Sequence, residues 1–241
     1  MIKKFLAIFL IVPFLLMAQE NDLQKGDELL AKRDSVETIK KAMEIYEKEL
    51  STYPYEAGWR LMKAIYHYGD RPEVSKEEKI KLYQKGIDLG KKLTAKYPDR
   101  VEAHFWLGVL YGVYGEARGV MKSLFLVKPI KREMNAVLRI DEKYDCGGAY
   151  RVLGRLYYKV PGLFGGSKKK SLQYLLKSKE ICPNNLLTRI YLAETLKSLK
   201  KKEQAIKELE EGLQLEAPEE DKPEEAKYKK QMEELLKKLK K

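Results

Sequence analysis

Residues 101–166 read VEAHFWLGVLYGVYGEARGVMKSLFLVKPIKREMNAVLRIDEKYDCGGAYRVLGRLYYKVPGLFGG, and this stretch decides the fold of the chain. It contains the same helical pattern twice, a Leu-Gly pair followed by a tyrosine: Leu107-Gly108 with Tyr111, and Leu153-Gly154 with Tyr157. Apolar residues recur at three- and four-residue spacing, without an alternating pattern of useful length, which predicts α-helices and no strands. The stretch also holds most of the glycines and many aromatic residues that could shape a cavity.

The same periodicity extends outward from this stretch, and prolines mark the ends of the second helices of successive pairs. These prolines, with Asp141 in the place of one, recur at spacings of about 35 to 45 residues: Pro54, Pro98, Pro183 and Pro218. Small residues such as Ala42, Ser171 and Ala205 lie where the two helices of a pair would meet. The pattern resembles the tetratricopeptide repeat, so the fold is predicted to be all-α, an array of about five antiparallel helix pairs with a C-terminal capping helix at 224–240.

Residues 1–18 contain a short basic region, Lys3-Lys4, which is followed by an apolar run from Phe5 to Ala18. The apolar run is shorter than the roughly 20 residues that a bilayer span needs. A small residue at Ala18 before Gln19 is typical of a cleavable secretory signal, although an uncleaved anchor is the alternative. We therefore expect residues 19–241 to form a single helical-repeat domain that is periplasmic or secreted.

The chain is basic, with 48 Lys and Arg against 36 Asp and Glu and a net charge of +12. Most of these charges interleave on helical faces, as in the KKKE run at 200–203, which favours a solvated surface. Nucleic-acid binding would need a basic patch within a recognisable reading module, so we expect no nucleic-acid partner.

The central pair departs from an ideal repeat. The segment from Val120 to Ile140 contains Pro129, yet its apolar positions keep one helical phase, so we expect a kinked helix rather than a break. Gly119 before it is predicted to be a left-handed residue at a helix C-terminus. The connection that follows Pro161 is longer than a standard turn, and Ser167 is predicted to cap the next helix.

Glycine-rich motifs in this region carry a family resemblance. They are Glu116-Ala117-Arg118-Gly119, then Gly147-Gly148-Ala149-Tyr150-Arg151-Val152-Leu153-Gly154, then Pro161-Gly162 and Gly165-Gly166-Ser167. Together they resemble the T component of TRAP transporters, periplasmic proteins built on tetratricopeptide-like repeats. The resemblance implies an all-α fold with a cavity or pore, a TRAP solute-binding protein as partner, and a small apolar or carboxylate ligand. Association into a homo-oligomer is a further expectation.

Five residues of this region are candidates for ligand contact: Trp106, Tyr111, Arg118, Tyr150 and Arg151. An arginine in a mostly apolar pocket would orient a carboxylate through paired hydrogen bonds. Aromatic residues at helical spacing more often belong to the core, and Arg118 could simply neutralise the negative end of its helix. A second set is predicted to have a structural role only: Gly119, Gly147, Gly148, Gly154, Pro161, Gly162, Gly165 and Gly166.

No motif for catalysis or metal binding is present in the sequence. His67 and His104 are the only histidines, and neither has a neighbour at metal-ligand spacing. The chain has no serine-elbow motif and no dinucleotide fingerprint. We therefore expect neither an enzyme nor a cofactor or metal site, and we interpret His104 as a hydrogen-bonded core histidine.

Cys146 and Cys182 lie in turns that follow second helices of consecutive repeats, on the same edge of the array. In an oxidising compartment they could form a disulfide. Helix spacing could instead hold them roughly 10 Å apart, which is beyond the reach of a disulfide.

Two functions remain open. One is a ligand-handling accessory of TRAP-type uptake, which predicts an enclosed apolar channel near Trp106 and Arg118. The other is a generic tetratricopeptide-type scaffold that binds a protein or peptide in an open polar groove.

Overall fold

A computed structural model describes residues 22–241 of the chain. Its α-helices are 22–32 (α1), Val36–Glu49 (α2), Pro54–Gly69 (α3), Lys76–Lys96 (α4), Val101–Arg118 (α5), Val127–Ile140 (α6), Tyr144–Lys159 (α7), Lys168–Ile181 (α8), Leu186–Ser198 (α9), Lys202–Leu213 (α10) and Lys222–Lys240 (α11). Three short 3₁₀ helices lie between them: Met121–Leu126 (η1), Gly162–Phe164 (η2) and Glu219–Asp221 (η3). The predicted all-α array of five helix pairs with a terminal helix is confirmed. The predicted signal at 1–18 lies outside the described residues, and export stays a prediction.

Side-chain caps fix where several second helices begin. Ser75 Oγ accepts a hydrogen bond from the backbone N–H of Glu78 at 3.2 Å, and Ser167 Oγ accepts one from that of Lys170 at 3.2 Å. These bonds satisfy backbone donors that have no partner inside the helix, as the sequence predicted for Ser167. None of the helices in the described range is long and apolar enough to cross a membrane.

Small residues set the close approach of the helices within a pair. A Cβ atom at Gly154 of α7 would lie 2.6 Å from Leu175 Cγ of α8, which is closer than side chains can pack. The Leu-Gly element of the repeat therefore exists because the partner helix occupies the space of a side chain. The buried side chains form two clusters, one running from α1 to α7 and the other from α8 to α11.

The segment from Val120 to Ile140 is not the single kinked helix that was expected. It forms η1 and then α6, and Pro129 lies in the first turn of α6. A proline is tolerated there because the N–H groups of the first turn have no partner within the helix. Gly119 has a positive φ of 97° with an extended ψ of 133°, so it turns the chain without adopting left-handed helical geometry.

The terminal helix does more than cover the last repeat. It packs on α9 and α10, as a cap would, but ion pairs also connect it and η3 to the beginning of the chain. Arg33 pairs with Glu224, Lys63 pairs with Glu220, and Asp70 pairs with Lys227: the first of these pairs is 2.6 Å long and buried. The C-terminal segment therefore closes the array from its last repeat back to its first.

Candidate ligand cavity

A cavity of about 170 Å³ lies inside the closed array. The first helices of four pairs, α3, α5, α7 and α9, contribute to its wall, together with η1, α6 and the C-terminal segment. One water molecule needs only about 10–15 Å³ by the same kind of measure, so the cavity has room for an organic molecule.

The part of the cavity between α5, η1, α6 and α7 is apolar. Each of these elements places aliphatic side chains on one helical face toward the cavity: Val109, Val113, Leu124, Val127, Val152 and Leu156. Gly112 lies among them, and a Cβ atom at this position would meet no heavy atom within 4 Å. This part of the wall therefore suits an aliphatic chain.

The opposite part of the wall carries charged and polar groups from α3, α7 and the C-terminal segment. Arg151 makes an ion pair with Asp145, and Asn185 Nδ2 donates a hydrogen bond to Asp221 Oδ2 at 2.7 Å. Burial raises the pKa of Asp145 to about 6, although the adjacent Arg151 opposes the shift, and burial also raises the pKa of Asp221. Since Arg151 already faces two carboxyl groups, this end does not favour an anionic ligand group.

His67 lies beside these groups and is neutral at pH 7. Burial lowers the pKa of its imidazole to about 4, and the positive charges of Arg33 and Lys63 act in the same direction. Glu224 opposes that shift, with its Oε1 atom 3.6 Å from His67 Nδ1.

The cavity reaches the surface between α5 and α7, where the charge is different. Lys159 is exposed and its Nζ lies 3.5 Å from Glu116 Oε1, and Arg155 makes an ion pair with Glu194. Burial, together with the positive charges of Arg155 and Lys159, lowers the pKa of Lys168. Basic groups are therefore crowded at this mouth of the cavity, in contrast to its inner end.

Three residues of the cavity wall contain buried polar atoms that have no hydrogen-bond partner among the described residues: Trp106 Nε1, Ser123 Oγ and Arg155 Nε. Trp106 Nε1 and Arg155 Nε are donors only, and the Ser123 hydroxyl can donate or accept. Buried polar groups are nearly always paired, so this concentration of unpaired donors is unusual. A bound molecule with hydrogen-bond acceptors would satisfy these donors.

The structure brings three of the five sequence-predicted contact residues to the cavity, namely Trp106, Tyr111 and Arg151. Arg118 is exposed at the end of α5, where it donates a hydrogen bond to Tyr114 Oη at 3.1 Å. Tyr150 donates to Glu142 Oε2 at 2.9 Å on a different face of α7. Neighbouring residues on a helix point about 100° apart, so Tyr150 cannot share the direction of Arg151.

Sequence reasoning missed the residues that approach the cavity from distant parts of the chain. His67 comes from α3, Asp221 from η3 and Tyr228 from α11. Asp145 offered a local signal, because it lies six residues before Arg151 at the start of the same helix. The others had none, since only the closure of the array brings them together.

The glycine motif at the start of α7 allows an abrupt entry into that helix. Asp145, Cys146 and Gly147 have positive φ values of 52°, 55° and 66°. Such a conformation costs little for glycine but is strained for the two residues with side chains. The turn directs Asp145 toward Arg151. It also brings Cys146 close to Cys182, and the two residues form a disulfide with a Cα–Cα distance of 5.2 Å. The alternative separation of roughly 10 Å does not occur.

The second histidine, His104, is hydrogen-bonded within the core and does not line the cavity. His104 Nδ1 lies 2.6 Å from Glu133 Oε2, and its Nε2 lies 3.0 Å from the backbone oxygen of Pro98. The hydrogen bond with Glu133 raises the pKa of His104, although burial opposes this shift.

In residues 22–241, no group of His, Cys, Asp and Glu side chains has an arrangement that could hold a metal ion.

The comparisons with known proteins give a different family from the one that the motifs suggested. The sequence matches the family described as regulator of microtubule dynamics protein 1-3 over residues 22–164 and 163–240. The resemblance to the T component of TRAP transporters is therefore wrong. No curated protein matches the sequence.

Two solved structures share the fold. TTC0263, a thermophilic TPR protein in Thermus thermophilus, has a TM-score of 0.67 at 18% identity, over 90% of this chain and 98% of that one. The MamA protein has a TM-score of 0.50 at 20% identity, over 87% of this chain and 94% of that one. At these identities the similarity shows a tetratricopeptide-like fold, which agrees with the generic scaffold better than with a transporter component.

Proposed function

We propose that this chain, which belongs to the family of regulator of microtubule dynamics proteins 1-3, is a non-enzymatic repeat protein whose internal cavity binds an apolar molecule with an acidic head group. The proposal rests on the cavity, which is lined by aliphatic side chains. Its wall also contains polar atoms of Trp106, Ser123 and Arg155 that have no hydrogen-bond partner among the described residues. A largely apolar cavity with a few convergent polar groups is the usual form of a small-molecule site.

The charge distribution sets the orientation of the ligand. At the inner end, the carboxyl groups of Asp145 and Asp221 outnumber the single guanidinium of Arg151. This end therefore disfavours an anionic group. The mouth contains three basic groups, Arg155, Lys159 and Lys168, against the two carboxylates of Glu116 and Glu194. Arg155 Nε lies 3.8 Å from Glu116 Oε1 and has no hydrogen-bond partner among the described residues. The acidic group therefore lies at the mouth and the apolar chain extends inward between α5 and α7.

Calorimetric titration with octanoate tests this function, and octanol serves as the uncharged ligand of the same length. Replacing Gly112 by Leu places a side chain in the free space of the cavity, so Gly112→Leu abolishes binding while the protein stays folded. Ala226→Leu is the control, because it introduces the same leucine side chain at an exposed position of α11, away from the cavity. Equal affinities in Gly112→Leu and in Ala226→Leu, or no binding by the wild-type protein, would contradict the proposal.

A second candidate is a scaffold that binds a protein segment on the same inner face. The favouring observation is that the chain's own residues 219–228 already lie there, held by ion pairs of Lys63 and Asp70. The family description names microtubule dynamics, so the first protein partner to test is the microtubule, by cosedimentation. Cosedimentation that survives Gly112→Leu, without octanoate binding by the wild type, would favour this second candidate.

A further inference from the structure

Large apolar side chains that are exposed in residues 22–241 concentrate on η1 and η2. Met121 and Phe125 of η1 are 61% and 62% exposed, and Leu163 and Phe164 of η2 are 90% and 46% exposed. Together these four residues form the apolar tip of the molecule. Single exposed apolar side chains are common on protein surfaces, but a group of them marks an interaction site.

The two parts of the apolar tip lie at the same end of the molecule. The ring of Tyr157 has Lys131 Nζ at 4.6 Å from its centroid and Lys170 Nζ at 5.5 Å. Lys131 belongs to α6, which follows η1, and Lys170 belongs to α8, which follows η2. Leu124 of η1 and Val160 before η2 both line the cavity, so the apolar tip flanks its mouth.

The chain around the apolar tip is basic, in contrast to the interleaved charges elsewhere. The segments 119–132 and 159–172 contain eight Lys and Arg residues and no Asp or Glu. Two of the eight have acidic partners, because Arg132 pairs with Glu133 and Lys159 with Glu116. The other six make no ion pair with any residue in the described range, and all are lysines: Lys122, Lys128, Lys131, Lys168, Lys169 and Lys170.

We propose that this end of the molecule docks on an anionic lipid bilayer, with the apolar tip inserted at the interface and the surrounding lysines facing the lipid head groups. Aromatic and aliphatic side chains on one surface, surrounded by lysines, are the composition of proteins that lie on anionic membranes. Basic residues close to such a surface are attracted by its negative potential.

The shape of the apolar tip favours a bilayer over an acidic protein partner. Leu163 is almost fully exposed on a short loop, and Phe125 extends from η1, so the apolar groups protrude rather than line a groove. A bilayer interface accepts protruding side chains at any position, whereas a folded partner would need a matching apolar pocket ringed by acidic residues.

Docking at this end also has a consequence for the cavity. The mouth beside Lys159 and Val160 would face the bilayer, so an apolar molecule could pass between membrane and cavity without crossing water. This consequence rests on the proposed ligand-binding function, whereas the docking itself does not.

Cosedimentation of the full chain with vesicles tests the docking. Phosphatidylcholine vesicles with phosphatidylglycerol should bind the protein, and vesicles of phosphatidylcholine alone should bind it weakly. Reversing three lysines of the patch, in Lys168→Glu/Lys169→Glu/Lys170→Glu, should lower the affinity by more than about tenfold, because each basic residue near an anionic surface adds to binding. The matched control is Lys237→Glu/Lys238→Glu/Lys241→Glu, which makes the same change in net charge on α11 and at the C-terminus.

A second measurement locates the inserted residues directly, and it separates their contribution from that of any other segment that binds membranes. Tryptophan introduced by Leu163→Trp should be quenched by brominated phosphatidylcholine in anionic vesicles. Leu176→Trp is the control, because Leu176 is exposed on α8 outside the apolar tip. Both variants should still bind octanoate if the proposed function holds, because neither residue lines the cavity.

Absence of binding to anionic vesicles would overturn the docking proposal. So would binding in which Leu163→Trp is quenched no more than Leu176→Trp, because another surface would then hold the protein on the membrane. Neither outcome bears on octanoate binding in solution.

Discussion

The Glu224 carboxylate accepts two hydrogen bonds from the Arg33 guanidinium, from Nε at 2.7 Å and from Nη2 at 2.6 Å, across 191 residues of sequence. Both side chains are buried, so the pair links the first repeat to the terminal helix inside the protein. Such a two-pronged arrangement holds the carboxylate in one geometry. Burial raises the pKa of Glu224, but the adjacent His67 and Arg33 outweigh it and hold this pKa at about 2. The pair therefore stays ionised at physiological pH.

Removing one partner of this pair should destabilise the protein strongly. Glu224→Gln leaves Arg33 buried without its counter-charge, so we expect the free energy of unfolding to fall by about 3 kcal/mol. Urea denaturation followed by circular dichroism measures the change. Lys227→Ala, which removes an ion pair with Asp70 on the surface, should cost less than about 1 kcal/mol. Equal effects of the two variants would show that the buried pair does not hold the array closed.

The two histidines should change stability with pH in opposite directions. His67 has a folded-state pKa of about 4 against an ordinary value of 6.5, so the unfolded chain binds its proton first as the pH falls. Neutral His67 therefore contributes at most about 3 kcal/mol to stability, and this contribution is lost as the pH falls from about 6.5 to 4. In His67→Gln this part of the pH dependence should be absent.

His104 has a raised pKa, so its stabilising contribution is present below pH 6.5 and is lost as the pH rises through the folded-state pKa. Unfolding curves at a series of pH values measure both effects. If His67→Gln and His104→Gln change the pH dependence in the same direction, the assigned environment of one histidine is incorrect.

The bond between Cys146 and Cys182 should contribute substantially to stability. It closes a loop with a sequence separation of 36, and the chain-entropy relation gives about 4 kcal/mol for a loop of this size. Cys146→Ser/Cys182→Ser should lower the free energy of unfolding by about this amount under oxidising conditions, and reducing agent should then have no further effect. Titration of the unfolded, unreduced protein should find no free thiol; two free thiols would mean that the bond does not form.

Recognition of the acidic head group should depend on Arg155 and not on Arg118. Arg155→Met should lower the affinity for octanoate by about tenfold, the value of one hydrogen bond to a charged group, and leave the affinity for octanol unchanged. Arg118→Met is the matched control, because Arg118 is exposed and contacts Tyr114 outside the cavity. Calorimetric titration of both ligands measures these affinities, and a larger effect of Arg118→Met would restore the original assignment from sequence.

Trp106→Ala should impair both ligand binding and stability. The indole is 4% exposed and packs edge to face against Phe105, with ring centroids 5.1 Å apart, while it also lines the cavity. Loss of a buried aromatic side chain costs about 3–5 kcal/mol. Thermal unfolding and octanoate titration on the same variant separate the two effects, and a variant with wild-type stability would contradict the buried position of Trp106.

The sequence by itself determined the helix pairs, because the signals for them are local. Apolar periodicity, serine caps such as Ser75 and Ser167, and small residues such as Gly154 all act within one or two helices. The sequence also indicated the irregular connection after Pro161, which contains η2, but the glycine motifs did not identify the family. Glycine and proline report backbone geometry, and many helical proteins share that geometry.

Only the tertiary structure decided which residues share the cavity. Trp106 and Arg151 face it, whereas Tyr150 and Arg118 point elsewhere, because helical phase and neighbouring side chains set each direction. Asp221 and Tyr228 reach the cavity because the C-terminal segment folds back, which depends on contacts such as Arg33 with Glu224. No local pattern encodes a contact across 191 residues, since it forms only when all the intervening repeats have packed at their correct angles.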